Sequence, residues 1–460
     1  MKTIPVSLKD IEQVLVYAYI GQIPFSWRII LDPSRSGFHA AFNEYMDISI
    51  YIGEIILAIA LLIHIINKKR EEKSIVTSII NQVKNEFHVE RNILWILLLI
   101  FLTMNIFASI DVRLSISSAL HFSLIFGAIV LIQNQFVSRG TKFIIDLVYI
   151  FSFSILFQLF ISGYQVIHGS SIGAKALNES ILSLGALNVA KAHIFGHLVL
   201  RGYGTFPHPN VFAVYAMFVL IFIYLFRRYL FHVKHLFLYS VVLFTTMSIL
   251  LTQSKLMIIF LMLMILFMCK KKLISMFHMK HVIVTTVLLA SIVSFTLLSY
   301  IDISVSTYTR LSQAISQVGN YAPTLFGSGI GTYRLSYDNM PLEWWNYEPV
   351  HFVPFIVLNE LGILPTILLL MIIRKYFRKV PRETWNNIQI PTIFLIFILS
   401  IDHYAWDIYQ GSFIAAMLVW SIYTTSSNQY LRNTERVFSN VIPDEAAPDC
   451  SIGDRPVASG

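Results

Sequence analysis

Three basic side chains and one histidine, far apart in the chain, are the residues best suited to chemistry. Arg201 opens the run Arg201-Gly202-Tyr203-Gly204-Thr205-Phe206-Pro207-His208-Pro209-Asn210, which leads straight into a long apolar segment. Its two glycines permit close backbone approach, its two prolines stiffen the exit, and Asn210 is placed to cap the helix that follows. The positive end of that helix, with an arginine beside it, suits a phosphate. The same residues also describe an ordinary tight turn with an interfacial arginine. His208, between two prolines, reads as structural. Lys255 closes Leu251-Thr252-Gln253-Ser254-Lys255, a minimal link between two apolar segments, where a lysine either snorkels to an interface or aims at an anion.

Arg310 comes later, ahead of Phe326-Gly327-Ser328-Gly329-Ile330-Gly331-Thr332-Tyr333 and of Glu348-Pro349-Val350-His351. The glycine run lacks the Lys-Ser/Thr of a P-loop and the strand-to-helix setting of a dinucleotide fingerprint, so nucleotide binding is rejected. His351, close to Glu348, is of the one side-chain type whose ordinary pKa suits proton transfer near neutrality. A single histidine at such a place serves structure as readily. Trp344, Trp345 and Tyr347 fit an interfacial aromatic belt better than a sugar-stacking platform. The outer connections carry no Asp-x-Asp pair and the chain no His/Cys/Asp group with zinc spacing, so no metal is implied. Cys269 and Cys450 cannot make a disulfide framework.

The elements that must position these residues are apolar. Hydrophobic residues make up 56% of the chain, charged residues 13%, and the mean hydropathy is +0.67. That leaves too little polar surface for a soluble fold of 460 residues. Twelve apolar stretches are expected as spans, at 11–31, 47–66, 93–112, 116–136, 143–163, 210–226, 236–252, 256–269, 281–301, 353–373, 388–402 and 408–424. The fold class is therefore all-α, a polytopic transmembrane helical bundle. Within the spans, Glu54, Asp146, Glu360 and Asp402 are costly in hydrocarbon and should face the bundle interior or a wet cavity. Asp402-His403-Tyr404, near a span end, could hydrogen-bond to outer-loop residues. The net charge of +8 is not a nucleic-acid signal, because the basic residues sit in short blocks at span ends, where they answer anionic membrane lipids.

Those blocks fall on alternate connections. Twenty lysines and arginines lie on one set, including Lys68, Arg91, Arg139, Arg227, Lys271 and Arg378, against eight on the other. The positive-inside rule places the richer set, and with twelve spans both termini, in the cytoplasm. A removable signal peptide is not expected, since Glu12, Gln22 and Pro24 interrupt the first apolar stretch. Three regions result. Residues 1–46 hold a weak first span and an external loop. Residues 47–424 form the transmembrane bundle, with long external loops of some helical content at 164–209 and 302–352. Residues 425–460 read as a disordered cytoplasmic tail.

Residues 201–210, 251–255 and 326–333, with Pro349-Val350-His351, Asn359-Glu360-Leu361-Gly362 and Asp402-His403, together resemble the O-antigen ligase and polymerase superfamily. The likeness covers roughly residues 45–424, with the motifs in the family's order. It departs at Lys255, where the family has arginine, and at Phe352, where it often has asparagine. Lysine keeps the charge but loses the two-pronged contact with phosphate. The resemblance implies a glycosyltransferase of the bacterial cytoplasmic membrane, using a polyprenyl-diphosphate-linked glycan donor and a glycan, lipid or protein acceptor. It implies His351 as base and Arg201 as anion clamp, with Lys255, Arg310, Asn210 and Tyr333 binding diphosphate or glycan. No metal or other cofactor is required, because side chains meet the diphosphate charge.

Ligase and polymerase differ in acceptor, which leaves no mark in the chain. A transporter or flippase of lipid-linked glycans is a rival from another class, expected to show broken helices and a mid-membrane site. A structural scaffold is a third, and would not need Arg201 and His351 on one side. The charge asymmetry has its own test. In a cysteine-free background, Ser170→Cys should react with a membrane-impermeant thiol reagent in intact cells. Reaction only after permeabilisation would reverse the two faces.

Overall fold

A computed structural model describes residues 7–25, 27–32, 47–71, 93–186, 189–194, 196–270, 324–337, 350–378 and 380–426. The expected span at 281–301, Arg310, Glu348, the three belt aromatics and residues 427–460 of the tail lie outside the described residues.

The described chain is mostly helical. Its helices are α1 (Leu8–Gln22), α2 (Ile52–Glu71), α3 (Ile93–Phe107), α4 (Val112–Arg139), α5 (Thr141–His168), α6 (Pro209–Phe226), α7 (His235–Thr252), α8 (Lys255–Lys270), α9 (Val353–Leu361), α10 (Ile363–Phe377), α11 (Arg382–Ile401), α12 (Tyr404–Asp407) and α13 (Tyr409–Ser426). Four stretches are long and apolar enough to cross a membrane: Val112–Arg139, Thr141–His168, Pro209–Tyr229 and His235–Thr252. Ile93–Phe107, Lys255–Ile265 and Thr384–Ser400 are apolar but shorter. The centre is α6, apolar on every side and buried on nearly every side, against α5, α7, α8, α11 and α13.

Three expectations are corrected. The chain is not purely helical: strands β1 (Arg28–Asp32) and β2 (Ile48–Tyr51) pair antiparallel, as do β3 (Lys191–Ile194) and β4 (His197–Leu200). The second hairpin lies in the first long loop, where the described residues between α5 and α6 also hold a single helical turn at Lys175–Leu177. The span expected at 11–31 stops at Gln22. Pro24 has no N–H to continue the ladder, and the residues beyond it become β1. The span expected at 353–373 is broken at Gly362, between α9 and α10.

The break is built from both sides. Residues 324–329 lie across it, their carbonyls and amides meeting those of the helix ends: Ile363 donates to the Thr324 carbonyl (3.0 Å), and Ser328 and Gly329 donate to the Asn359 and Glu360 carbonyls (2.9 and 3.0 Å). Gly362 has φ +84, and a Cβ there would strike the backbone of 325–327. Buried Asn105 of α3 closes the arrangement, donating to the Glu360 carbonyl (2.6 Å) and accepting from the Ile330 N–H (3.0 Å). The glycine run is thus a packed structural segment.

From Phe153 onward, helix α5 turns polar side chains inward and large apolar ones outward. Phe153, Phe160 and Ile167, seven residues apart, are 74%, 72% and 79% exposed, whereas Gln158, Ser162 and Gln165 are fully buried. Such a helix is stable where its surroundings are apolar. The two glutamines grip the loop that carries Arg201. Gln165 accepts from the Tyr203 and Gly204 N–H groups (both 2.9 Å) and donates to the Gly204 carbonyl (2.8 Å) and to Glu179 (2.9 Å). Gln158 accepts from Thr205 N–H (2.7 Å) and donates to its hydroxyl (2.8 Å), which in turn donates to the Pro24 carbonyl. Gln165→Ala should lower the thermal midpoint in detergent, each stranded backbone group costing about 1–3 kcal/mol. Phe160→Ala, on the outward face, should be near neutral; equal effects would mean that the clamp carries no stability.

Candidate functional site

Two residues expected to act together, Arg201 and His351, are joined by a continuous polar chain. The Arg201 guanidinium donates to the Asn210 side-chain oxygen (2.6 Å) and, through Nε, to the Thr252 carbonyl (2.7 Å). The Asn210 amide donates to Asp402 Oδ2 (3.2 Å), and Asp402 Oδ1 lies 3.4 Å from His351 Nδ1. The chain thus links residues 150 positions apart through side chains that are half-buried or buried.

Each member stands at the end of an element. Arg201 directly follows β4, and Gly202 N–H donates to the Leu251 carbonyl (2.9 Å), so this loop is seated on the C-terminus of α7. Asn210 is in the first turn of α6. The expectation that Asn210 caps that helix is corrected: His208 does so, its Nδ1 accepting from Asn210 N–H (3.2 Å), while Pro209 takes the first helical position. The asparagine side chain is thereby released to bridge Arg201 and Asp402. His351 immediately precedes the cap of α9, and Asp402 is the residue on which α11 ends. The Asp402 carboxylate therefore lies by the first turns of α6 and α9, whose unsatisfied N–H groups favour negative charge.

The other proposed residues divide. Lys255 begins α8 in the same tight turn whose Thr252 carbonyl holds Arg201, and its side chain is half-buried. Tyr333 is buried on Val350 and Ile356, next to the His351 segment, and its N–H donates to Glu360 (3.1 Å). It lines a cleft of about 740 Å³, counted to its open mouth, with Tyr51, His121, Glu360, Trp406 and Asp407. The four acids expected inside have partners: Glu54 with His121, Asp146 with Arg139 (3.0 Å) and Tyr17 (2.7 Å), Glu360 with Trp406 (2.8 Å), and Asp402 as above.

Two features escaped sequence reading. His403 Nδ1 lies 2.9 Å from both oxygens of Asp407, one helical turn on, so the ring's Nε2 faces Asp402 at 4.0 Å. Burial pushes the Asp407 carboxyl above its ordinary value, opposed by the nearby His403 ring. Asp407 also lines the cleft, so cleft and polar chain share a wall. The second feature is a set of ligand-type atoms on His351, Asp402 and His403, all within 4.8 Å of one another. A spacing of 51 residues hid it from motif inspection, whereas the His-x3-Asp pair at 403 and 407 was visible in principle.

No family model matches the chain, and no curated protein or solved structure matches it either.

Proposed function

We propose that the chain is a membrane glycosyltransferase of the O-antigen ligase or polymerase type, transferring a glycan from a polyprenyl diphosphate to a hydroxyl acceptor. The reaction is placed at the external face of a bacterial cytoplasmic membrane, with both termini in the cytoplasm. One observation carries the reading: the cation suited to a diphosphate and the histidine suited to proton transfer belong to one partly buried polar chain, Arg201–Asn210–Asp402–His351.

The chemistry follows from that order. With its Nδ1 proton directed at Asp402, the His351 imidazole keeps Nε2 as the acceptor, and the carboxylate stabilises the imidazolium that forms. The acceptor oxygen attacks the anomeric carbon, its proton passes to Nε2, and the carbon–oxygen bond to the diphosphate breaks. The polyprenyl diphosphate leaves with the electron pair, and Arg201 meets its growing charge in a site of low local dielectric. Two neutral oxygens, a carbonyl and an amide, orient Arg201. Lys255 is on the adjoining turn as a second cation. The acidic and hydroxyl-bearing cleft at Tyr333 offers hydrogen-bond partners to a sugar.

The break at Gly362 is the kind of feature a transporter would carry. Its backbone groups, however, are taken up by residues 324–329, so the break is tied to the protein itself. That favours the enzyme.

The test is turnover in a purified system with lipid-diphosphate donor. His351→Ala should bind donor nearly normally and turn over about 10²–10⁴-fold more slowly. Arg201→Ala should be inactive, Arg201→Lys should retain little activity because the fork is lost, and Lys255→Arg should be tolerated. Near-wild-type turnover per folded His351→Ala molecule would remove the base from the mechanism. Profiling lipid-linked intermediates in a deletion strain separates the two acceptor types: a polymerase leaves single units unextended, a ligase leaves finished chains on the carrier.

A further inference from the structure

We propose that His351, Asp402 and His403 form a binding site for a transition-metal dication of the zinc type. The donor set is two imidazoles and one carboxylate, which favours zinc over magnesium or calcium. The three ligand atoms lie within 4.8 Å of one another, with Asp402 Oδ1 3.4 Å from His351 Nδ1 and 4.0 Å from His403 Nε2. A tetrahedral ion with ligands at about 2.0–2.1 Å needs them about 3.3 Å apart, within reach of small side-chain rotations. The side chains are 9%, 11% and 1% exposed, so little conformational freedom remains to be lost on binding.

The groups behind the ligands are a separate observation. Asp407 takes the far nitrogen of His403 at 2.9 Å, fixing the ring so that Nε2 faces Asp402. Asn210 donates to the far oxygen of Asp402 at 3.2 Å, fixing the carboxylate. A carboxylate behind a ligating histidine and a donor behind a ligating carboxylate are the supports that metal sites use to set tautomer and direction. Three protein ligands leave a fourth position for water.

The site has a consequence that rests on the proposed reaction, although binding itself does not. Zinc on His351 Nδ1 uses that nitrogen's lone pair, so the neutral ring carries its proton on Nε2. The imidazole can then no longer accept a proton, and zinc inhibits transfer.

The experiment uses the full chain, purified in detergent without a polyhistidine tag, stripped with chelator and titrated with zinc sulfate by calorimetry. One equivalent should bind tightly. Asp402→Asn and His403→Gln should each weaken binding at least tenfold, and Asp407→Asn about 10–100-fold, as loss of an outer support does. His193→Gln, on the exposed hairpin, should leave it unchanged. If the buried variants do not fold, His351→Gln at the edge of the cluster makes the same measurement. Absence of stoichiometric binding by the wild-type chain overturns the site, as does equal affinity in His351→Gln. Zinc that binds without slowing transfer keeps the site and removes His351 from proton transfer. Activity without zinc binding does the reverse.

Discussion

Irregular backbone at the level of an apolar bundle must find every hydrogen bond inside the protein, and that constraint shapes all the rest. Where water is excluded, an unmatched N–H or C=O costs several kcal/mol, so a loop can be buried only if side chains complete it. Amides do that work here, because one amide both donates and accepts. Gln158 and Gln165 complete residues 203–205, Asn105 completes 326–330 and the end of α9, and Asn210 spans Arg201 and Asp402. Without these four side chains, the segments bearing Arg201 and Tyr333 could not enter the bundle, and the polar chain would have no fixed geometry.

The charge of Asp402 poses a second form of the same problem. A buried carboxylate left unmatched is costlier than any amide. It is matched by Asn210, by the His351 and His403 rings, and by the first turns of α6 and α9. An added positive charge beside the carboxylate offsets its burial further. An imidazolium formed at His351 and a divalent cation are two ways of supplying it. Under the proposed reaction and the proposed metal site, the same electrostatic arrangement serves proton transfer and metal capture, and the two compete for one ring.

The sequence reading was most successful where a single physical rule decides. Apolar length located α4 to α7, the helices long and apolar enough to cross a membrane, within a few residues. Rarity of acids in apolar spans sent Glu54, Glu360 and Asp402 correctly to the interior. It failed where two distant segments decide jointly. The break at Gly362 depends on residues 324–329 arriving from elsewhere, and α9 with α10 is as apolar as a continuous span. Asn is a good cap type, but His208, two places before Asn210, is the residue that directly precedes the helix. The inward stripe Ser154, Gln158, Ser162, Gln165 was readable at spacings of four, four and three, yet amides in a span draw less notice than acids. Asp402-His403 was legible as a pair able to bond outer-loop residues, whereas nothing local named His351, 51 residues away, as its partner.

Short α12 is where these lines meet. Its flank holds Asp402 and His403, and its last residue, Asp407, faces the cleft while binding His403. Trp406, on the same turn, donates to Glu360, whose backbone carbonyl is part of the break between α9 and α10. A group seated in the cleft against Asp407 therefore acts on His403 through one hydrogen bond and on Asp402 through the next contact. Moving Asp407 away from His403 would release that ring from its orientation and alter the field at His351 without touching it. Under the glycosyltransfer reading, occupancy of the cleft and the readiness of the base are then coupled through four residues of one turn and its flank. The stiffness of that coupling comes from the Trp406–Glu360 bond, which ties the turn to the packed break rather than to a mobile surface loop.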